Sequence, residues 1–166
     1  MDMNARKVRL EVLLQKQKEK ERNDELQMQL GWMLEPFTTK ENIELLDVEE
    51  KEKMKTELIA SIPIIEWVSL DLEKMNNKFE VHNVSSDKVA SFLNDKELYT
   101  ENPVYLFLQD DLPPFSTLPW VKMPLSKVIE NIIHLAAEDS YQQYVFCPMP
   151  KFVIEIVEPD LITIAW

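Results

Sequence analysis

The spacing of apolar residues changes character several times along the chain, and each change marks a predicted element. Residues 4–30 are built mainly from Leu, Lys, Glu, Gln and Arg, with no proline or glycine, which predicts a helix. Its apolar positions Val8, Val12, Leu26 and Leu30 flank a polar centre, KQKEKERNDE. Such a helix is expected to project, with its ends packed or joined to a partner. Gly31, the only glycine, stands where a C′ glycine would stop it, with Trp32 set to pack back on the last turn. Thr38 and Glu41 then match a capping box. They predict a second helix carrying Ile43, Leu46, Met54 and Leu58 up to Pro63, with EEKEKMK as its solvated face.

Beyond Pro63 the period shortens. IIEWVSLDL predicts a strand, the NN pair at 76–77 a turn, and KFEVHNV a second strand. Ser85 or Ser86 caps a short predicted helix with Val89, Phe92 and Leu93, ending near Asn94. PVYLFL, at 103–108, reads as a buried strand. In PLSKVIENIIHLAA, the positions Leu125, Val128, Ile129, Ile132 and Leu135 keep helical spacing after a proline at the first turn. The last 23 residues hold three strand-like runs, the final two joined around EPD as a C-terminal hairpin. Several strands thus follow one another without an intervening helix. An α+β fold with an antiparallel or mixed sheet is expected, rather than a doubly wound parallel one. The expected organisation is a helical extension over 1–31 and a single α+β domain over 32–166.

Charge adds an asymmetry that periodicity does not show. The chain of 166 residues carries a formal charge of −12. Residues 1–22 hold seven basic and four acidic residues, net +3, leaving a net −15 on the remainder. A body so charged repels phosphate backbones and steers basic surfaces towards itself. Direct nucleic-acid binding is therefore not expected outside the N-terminal helix. Cys147 is the only cysteine, so an internal disulfide is excluded and a reducing, cytoplasmic setting is expected. The N-terminal segment shows no signal-peptide pattern, and no apolar run approaches bilayer-spanning length.

The chemistry-bearing residues are few. One glycine cannot build a phosphate-cradling loop, and Cys147, His82 and His134 are too few for a structural zinc site. Cys147 lies in the apolar run YVFCP, where its thiol should stay protonated and structural rather than act as a nucleophile with either histidine. Glu130 and His134, four apart, read as a surface pair. Carboxylates at Asp110 and Asp111, Glu138 and Asp139, and Glu155 with Asp160 are the material for a hard-cation site. Adjacent residues of an extended chain point to opposite sides, however, and PDL at 159–161 lacks a following acidic-x-Lys element. No metal, cofactor or catalytic residue is expected.

The stretch LFLQDDLPPFSTLPW, at 106–120, uses its residues differently. Asp110 and Asp111 beside the proline-stiffened aromatics Phe115 and Trp120 suit charge complementarity with rigid apolar anchors. The same residues equally suit a turn whose aromatics fold into the core, and both readings stand at this stage.

The succession of NVSSDKVASFL, then NPVYLFLQDDLPPF, then an acidic segment with Glu138, Asp139 and Tyr141 before a terminal hairpin resembles bacterial immunity proteins of polymorphic-toxin and contact-dependent inhibition systems. The resemblance spans roughly residues 79–166 and does not include the N-terminal helix. It implies a cytoplasmic α+β protein that neutralises a toxin, often a nuclease, by covering its active site. The expectation is therefore an acidic, non-enzymatic binding protein with a basic protein partner, a toxin or nuclease domain. Its candidate contact residues are Asp110, Asp111, Phe115, Trp120, Glu138, Asp139 and Tyr141. The alternatives are a phage-type or DNA-mimicking inhibitor of a nucleic-acid-handling complex, an assembly subunit docked through the N-terminal helix and, last, a metal-dependent hydrolase.

Overall fold

The computed structural model describes residues 3–65, 69–109, 116, 118–137 and 140–166. Helix α1 (Met3–Leu34) is followed by β1 (Glu44–Leu45), α2 (Val48–Ser61), β2 (Ile64–Ile65) and β3 (Ser69–Leu70). After a 3-10 turn at Leu72–Lys74 come β4 (Lys78–His82), α3 (Ser86–Asp95), β5 (Pro103–Leu108) and β6 (Trp120–Pro124). The chain ends with α4 (Leu125–Glu130), α5 (Ile132–Leu135), β7 (Gln143–Pro148), β8 (Lys151–Glu158) and β9 (Leu161–Ala165). Seven strands form one sheet in the order β1-β6-β5-β7-β8-β9-β4, every neighbouring pair antiparallel. The fold is α+β, as the strand-rich second half of the sequence predicts.

The central strands are apolar on both faces, because a layer covers each. Val104 and Leu106 of β5, Val145 and Cys147 of β7, and Ile154 of β8 face α3, α4, α5 and the end of α1, where Met33, Leu34, Val89, Val128 and Ile132 pack against them. The alternate residues Phe107, Tyr144, Phe146 and Val153, with Trp120 of β6, face α2 and the small β2–β3 hairpin through Met54, Leu58 and Leu70. Phe107 lies at the middle of this second layer, stacked on Trp120 with ring centres 4.1 Å apart and tilted on Tyr144 at 5.4 Å.

Several elements differ from the periodicity-based expectation, each for a local reason. Helix α1 passes through Gly31, which has no positive φ and so makes no left-handed cap. The helix stops at Leu34 instead, just before Glu35, whose backbone is restricted by the ring of Pro36. Thr38 does not open a helix. Its N–H donates to Asn131 Oδ1 at 3.3 Å, and the buried Lys127 ammonium donates to Thr39 Oγ1 at 2.8 Å and the Glu41 carbonyl at 2.6 Å. These side chains of the α4 region hold the segment out of helical geometry and lead it into β1. The cap of α2 is Asp47, whose Oδ1 accepts from the Glu50 N–H at 2.8 Å.

The expected strand over residues 64–72 is a hairpin of two short strands, Ile64 opposite Leu70, closed by the Asp71 N–H bonding the Pro63 carbonyl at 2.7 Å. The expected helix after Pro124 is broken at Asn131, whose backbone leaves α-helical geometry (φ −107°, ψ 10°) while its side-chain amide donates to the Lys127 carbonyl at 2.9 Å. Strand β6, between Pro119 and Pro124, was hidden in the sequence by its short length and by Lys122 on its face. The Ser85 cap, the bounds of β5 and the β8–β9 hairpin agree with the sequence.

Because Phe107 fills the centre of the second layer with aromatic partners on two sides, Phe107→Ala is expected to cost about 3–5 kcal/mol, the usual range for emptying a large buried aromatic site. Urea unfolding checks this; a loss below about 1 kcal/mol would mean that the layer collapses around the gap.

Candidate functional site

Strands β5 and β7 are antiparallel, so the C-terminal end of one lies beside the N-terminal start of the other, and the ladder closes at Leu108 opposite Gln143. One step further out, the Gln109 N–H donates to the Gln142 carbonyl at 3.1 Å. Gln109 immediately precedes Asp110, and Ser140 to Gln142 immediately follow Asp139. The residues flanking both acidic segments therefore leave the sheet at the same end, side by side. Sequence separation hides this, because about 30 residues and two helices lie between them.

The return path of the first segment is fastened from α2. The buried Lys51 ammonium donates to the Ser116 carbonyl at 2.8 Å and also to the Leu118 carbonyl, while the Leu118 N–H donates to Ser116 Oγ at 3.3 Å. Opposite, the Gln142 side chain donates to the Val157 carbonyl at 3.1 Å and the Ser140 N–H to the Ala137 carbonyl at 3.0 Å. Both flanks are thus tied to the frame by directed hydrogen bonds. The last turns of α1 lean over the same end, where the Trp32 ring stacks on Tyr141 with centres 5.2 Å apart and planes 17° apart. Between them is a groove of about 440 Å³ lined by Gln29, Trp32, Leu108, Leu118, Tyr141 and Gln142. Gln29 Oε1 is buried with no hydrogen-bond partner among the described residues.

Of the residues singled out from sequence, Asp110, Asp111, Phe115, Glu138 and Asp139 lie outside the described residues. Tyr141 is exposed on the groove wall. Trp120 is fully buried, stacked on Phe107, and belongs to the core. Trp32 and Gln29 were not among the candidates. The sequence placed Trp32 after a glycine stop, and only the continuation of α1 through Gly31 turns its ring towards Tyr141.

The candidate reactive groups are placed apart. Cys147 is buried under the helical layer, where loss of solvent pushes its thiol up to about 11. His82 is on the outer strand β4 and His134 in α5, both exposed. The Asp160 carboxylate accepts from the Val84 N–H at 2.7 Å, a structural bond beside a left-handed turn. Glu155 stands on β8 directly across from Tyr144. The Tyr144 hydroxyl also accepts from the Leu70 N–H at 3.4 Å, and burial raises its pKa. Burial likewise lifts Glu155 above the usual carboxylate range, opposed by its hydrogen bond with Tyr144. Among the described residues no group of three or more His, Cys, Asp or Glu side chains is placed to hold a metal ion.

A family model described as CdiI immunity protein EcoliA0-like matches residues 38–165. The chain belongs to this immunity protein family. The match spans both sheet faces and both acidic segments and begins just after α1 ends, so it reaches further towards the N-terminus than the resemblance from residue 79. The family implies a toxin as partner and is generally non-enzymatic. Neither the curated proteins nor the solved structures contain a match to the chain. Among the described residues no helix is long and apolar enough to cross a membrane.

The raised Glu155 carboxyl has a defined sign for stability. Its folded-state pKa lies above that of a free glutamate, so the folded state holds the proton more tightly and stability falls as pH rises through this titration. Glu155→Gln is expected to raise the unfolding temperature at neutral pH and to leave it unchanged at pH values where the carboxyl is protonated in both states. Thermal melts at the two extremes check this; an equal shift at both would show that charge is not the cause.

Proposed function

We propose that this immunity protein neutralises its toxin through the end of the sheet where the two acidic segments begin, using Asp110, Asp111, Glu138 and Asp139 for charge and Phe115, Tyr141 and the groove beside Trp32 for apolar contact. The observation that carries the reading is the Gln109–Gln142 hydrogen bond within a chain of the immunity family, since it brings the flanks of both acidic segments together. The matching toxin surface is basic. A cytoplasmic nuclease whose cleft binds phosphate presents such a surface, and covering that cleft blocks substrate both sterically and electrostatically. Trp120, fully buried, is left out of the proposed contact.

The mechanism needs no cofactor and no catalytic group. An acidic body, net −15 after residue 22, raises the encounter rate with a basic partner, and short contacts made after docking set the lifetime. The rigid flanks limit the entropy lost on binding, because the chain on either side is already hydrogen-bonded in place.

The test combines charge and salt. Asp110→Lys with Asp111→Lys is expected to abolish toxin binding while the circular dichroism spectrum and unfolding temperature stay unchanged. Loss of folding instead would assign the aspartates to a structural turn. For the wild-type chain the association rate is expected to fall steeply as ionic strength rises, with a smaller change in dissociation. An association rate indifferent to salt would remove the electrostatic part of the mechanism.

A further inference from the structure

The greater part of helix α1 lies outside the packed body. Only its last turns join the core, through Met33 and Leu34, while residues 5–25 are exposed throughout. At 1.5 Å per residue that exposed stretch extends about 31 Å. Near its tip, Val8, Leu10, Val12, Leu13 and Leu14 are 46–59% exposed, five large apolar side chains within seven residues. At 100° per residue they surround the helix rather than form one stripe. Arg9 and Glu11 are interleaved with them, so the tip is mixed rather than wholly apolar. An isolated helix draws most of its stability from packing, and apolar side chains this exposed are surface that packing can cover.

A second apolar surface, without a partner among the described residues, lies at the base of the same helix. A groove of about 600 Å³ runs between Leu26 of α1, Leu45 and Val48 at the β1–α2 junction, and Leu118 and Trp120. Leu45 is 40% and Val48 79% exposed there. The charges of the two surfaces differ in balance. The tip carries Arg6, Lys7 and Arg9 against Glu11, whereas at and around the groove Asp24, Glu25, Glu49, Glu50 and Glu52 outnumber Arg22, Lys51 and Lys53.

We infer that the tip of α1 docks in this groove of a second copy of the chain, forming a closed two-fold dimer with the two α1 helices antiparallel. In that pairing the tip of each helix meets the Arg22–Leu26 region of the other, so the symmetry axis falls near Gln17. The polar centre, with Lys16, Lys18 and Lys20 interleaved with Glu19 and Glu21, then faces itself in reverse, setting Lys16 across from Glu19. The contact is the same in both directions, so it closes as a pair and does not propagate into a filament. It shares the wall at Leu118 with the Trp32–Tyr141 groove but does not use Trp32 or Tyr141 themselves.

Sedimentation equilibrium of the full chain tests this. The expected mass at micromolar concentration is twice 19.6 kDa, with dissociation promoted by salt. Leu10→Glu with Leu13→Glu changes only exposed tip positions. It is expected to weaken the dimer by roughly tenfold or more while the unfolding temperature of the body is retained. Val48→Lys, at the groove, is expected to have the same effect without touching the tip. A wild-type chain that stays at 19.6 kDa at every concentration overturns the inference, as does a dimer unaffected by both variants. A monomer whose tip variant loses toxin binding also overturns it and assigns the tip to the toxin.

Discussion

The fold rests on a sheet whose central strands cannot tolerate water on either face. β5, β7 and β8 bury apolar side chains on both faces, so a single covering layer would leave one face of each exposed. The chain supplies α3, α4, α5 and the end of α1 to one side, and α2 with the β2–β3 hairpin to the other. Placing α2 on the far face requires the segment after α1 to cross the sheet edge, which is where Lys127 and Asn131 hold Thr38, Thr39 and Glu41. Two buried polar side chains in and beside one short helix thereby decide the path between the layers.

That requirement also explains which elements could be read from sequence. PVYLFL was legible because a strand buried on both faces is a continuous apolar run, and the Ser85 cap because its chemistry is local. The start of α2 was not, because Thr38 and Glu41 satisfy the capping pattern while tertiary hydrogen bonds divert the backbone they would have capped. The break at Asn131 is of the same kind, since helical spacing continues on either side of it and only the buried amide interrupts the ladder.

The candidate site was legible in composition but not in arrangement. Charge and aromatic content marked the stretches around Asp110 and Glu138, and Tyr141 does stand on the groove wall. That Gln109 and Gln142, which flank them, lie side by side depends on the antiparallel pairing of β5 with β7, a long-range fact that no local pattern carries. Trp120 shows the converse limit: an aromatic between prolines looks like a surface anchor, yet its register opposite Phe107 sends it into the core. Trp32 was hidden by the weight given to a lone glycine, which in a helix without a left-handed residue is only a small side chain.

The closure of the β5–β7 ladder at Leu108 and Gln143 carries an evolutionary consequence. Strand register is fixed on the inner side of that pair, by alternation between two dry layers, before either acidic segment begins. Lys51 grips the returning chain by carbonyl oxygens, which every residue possesses, so the grip is blind to side-chain identity. Neither the register of β5 nor the Lys51 clasp therefore depends on which side chains stand between them. If the proposed toxin contacts lie there, a lineage matching a changing toxin can vary them while the scaffold stays constant.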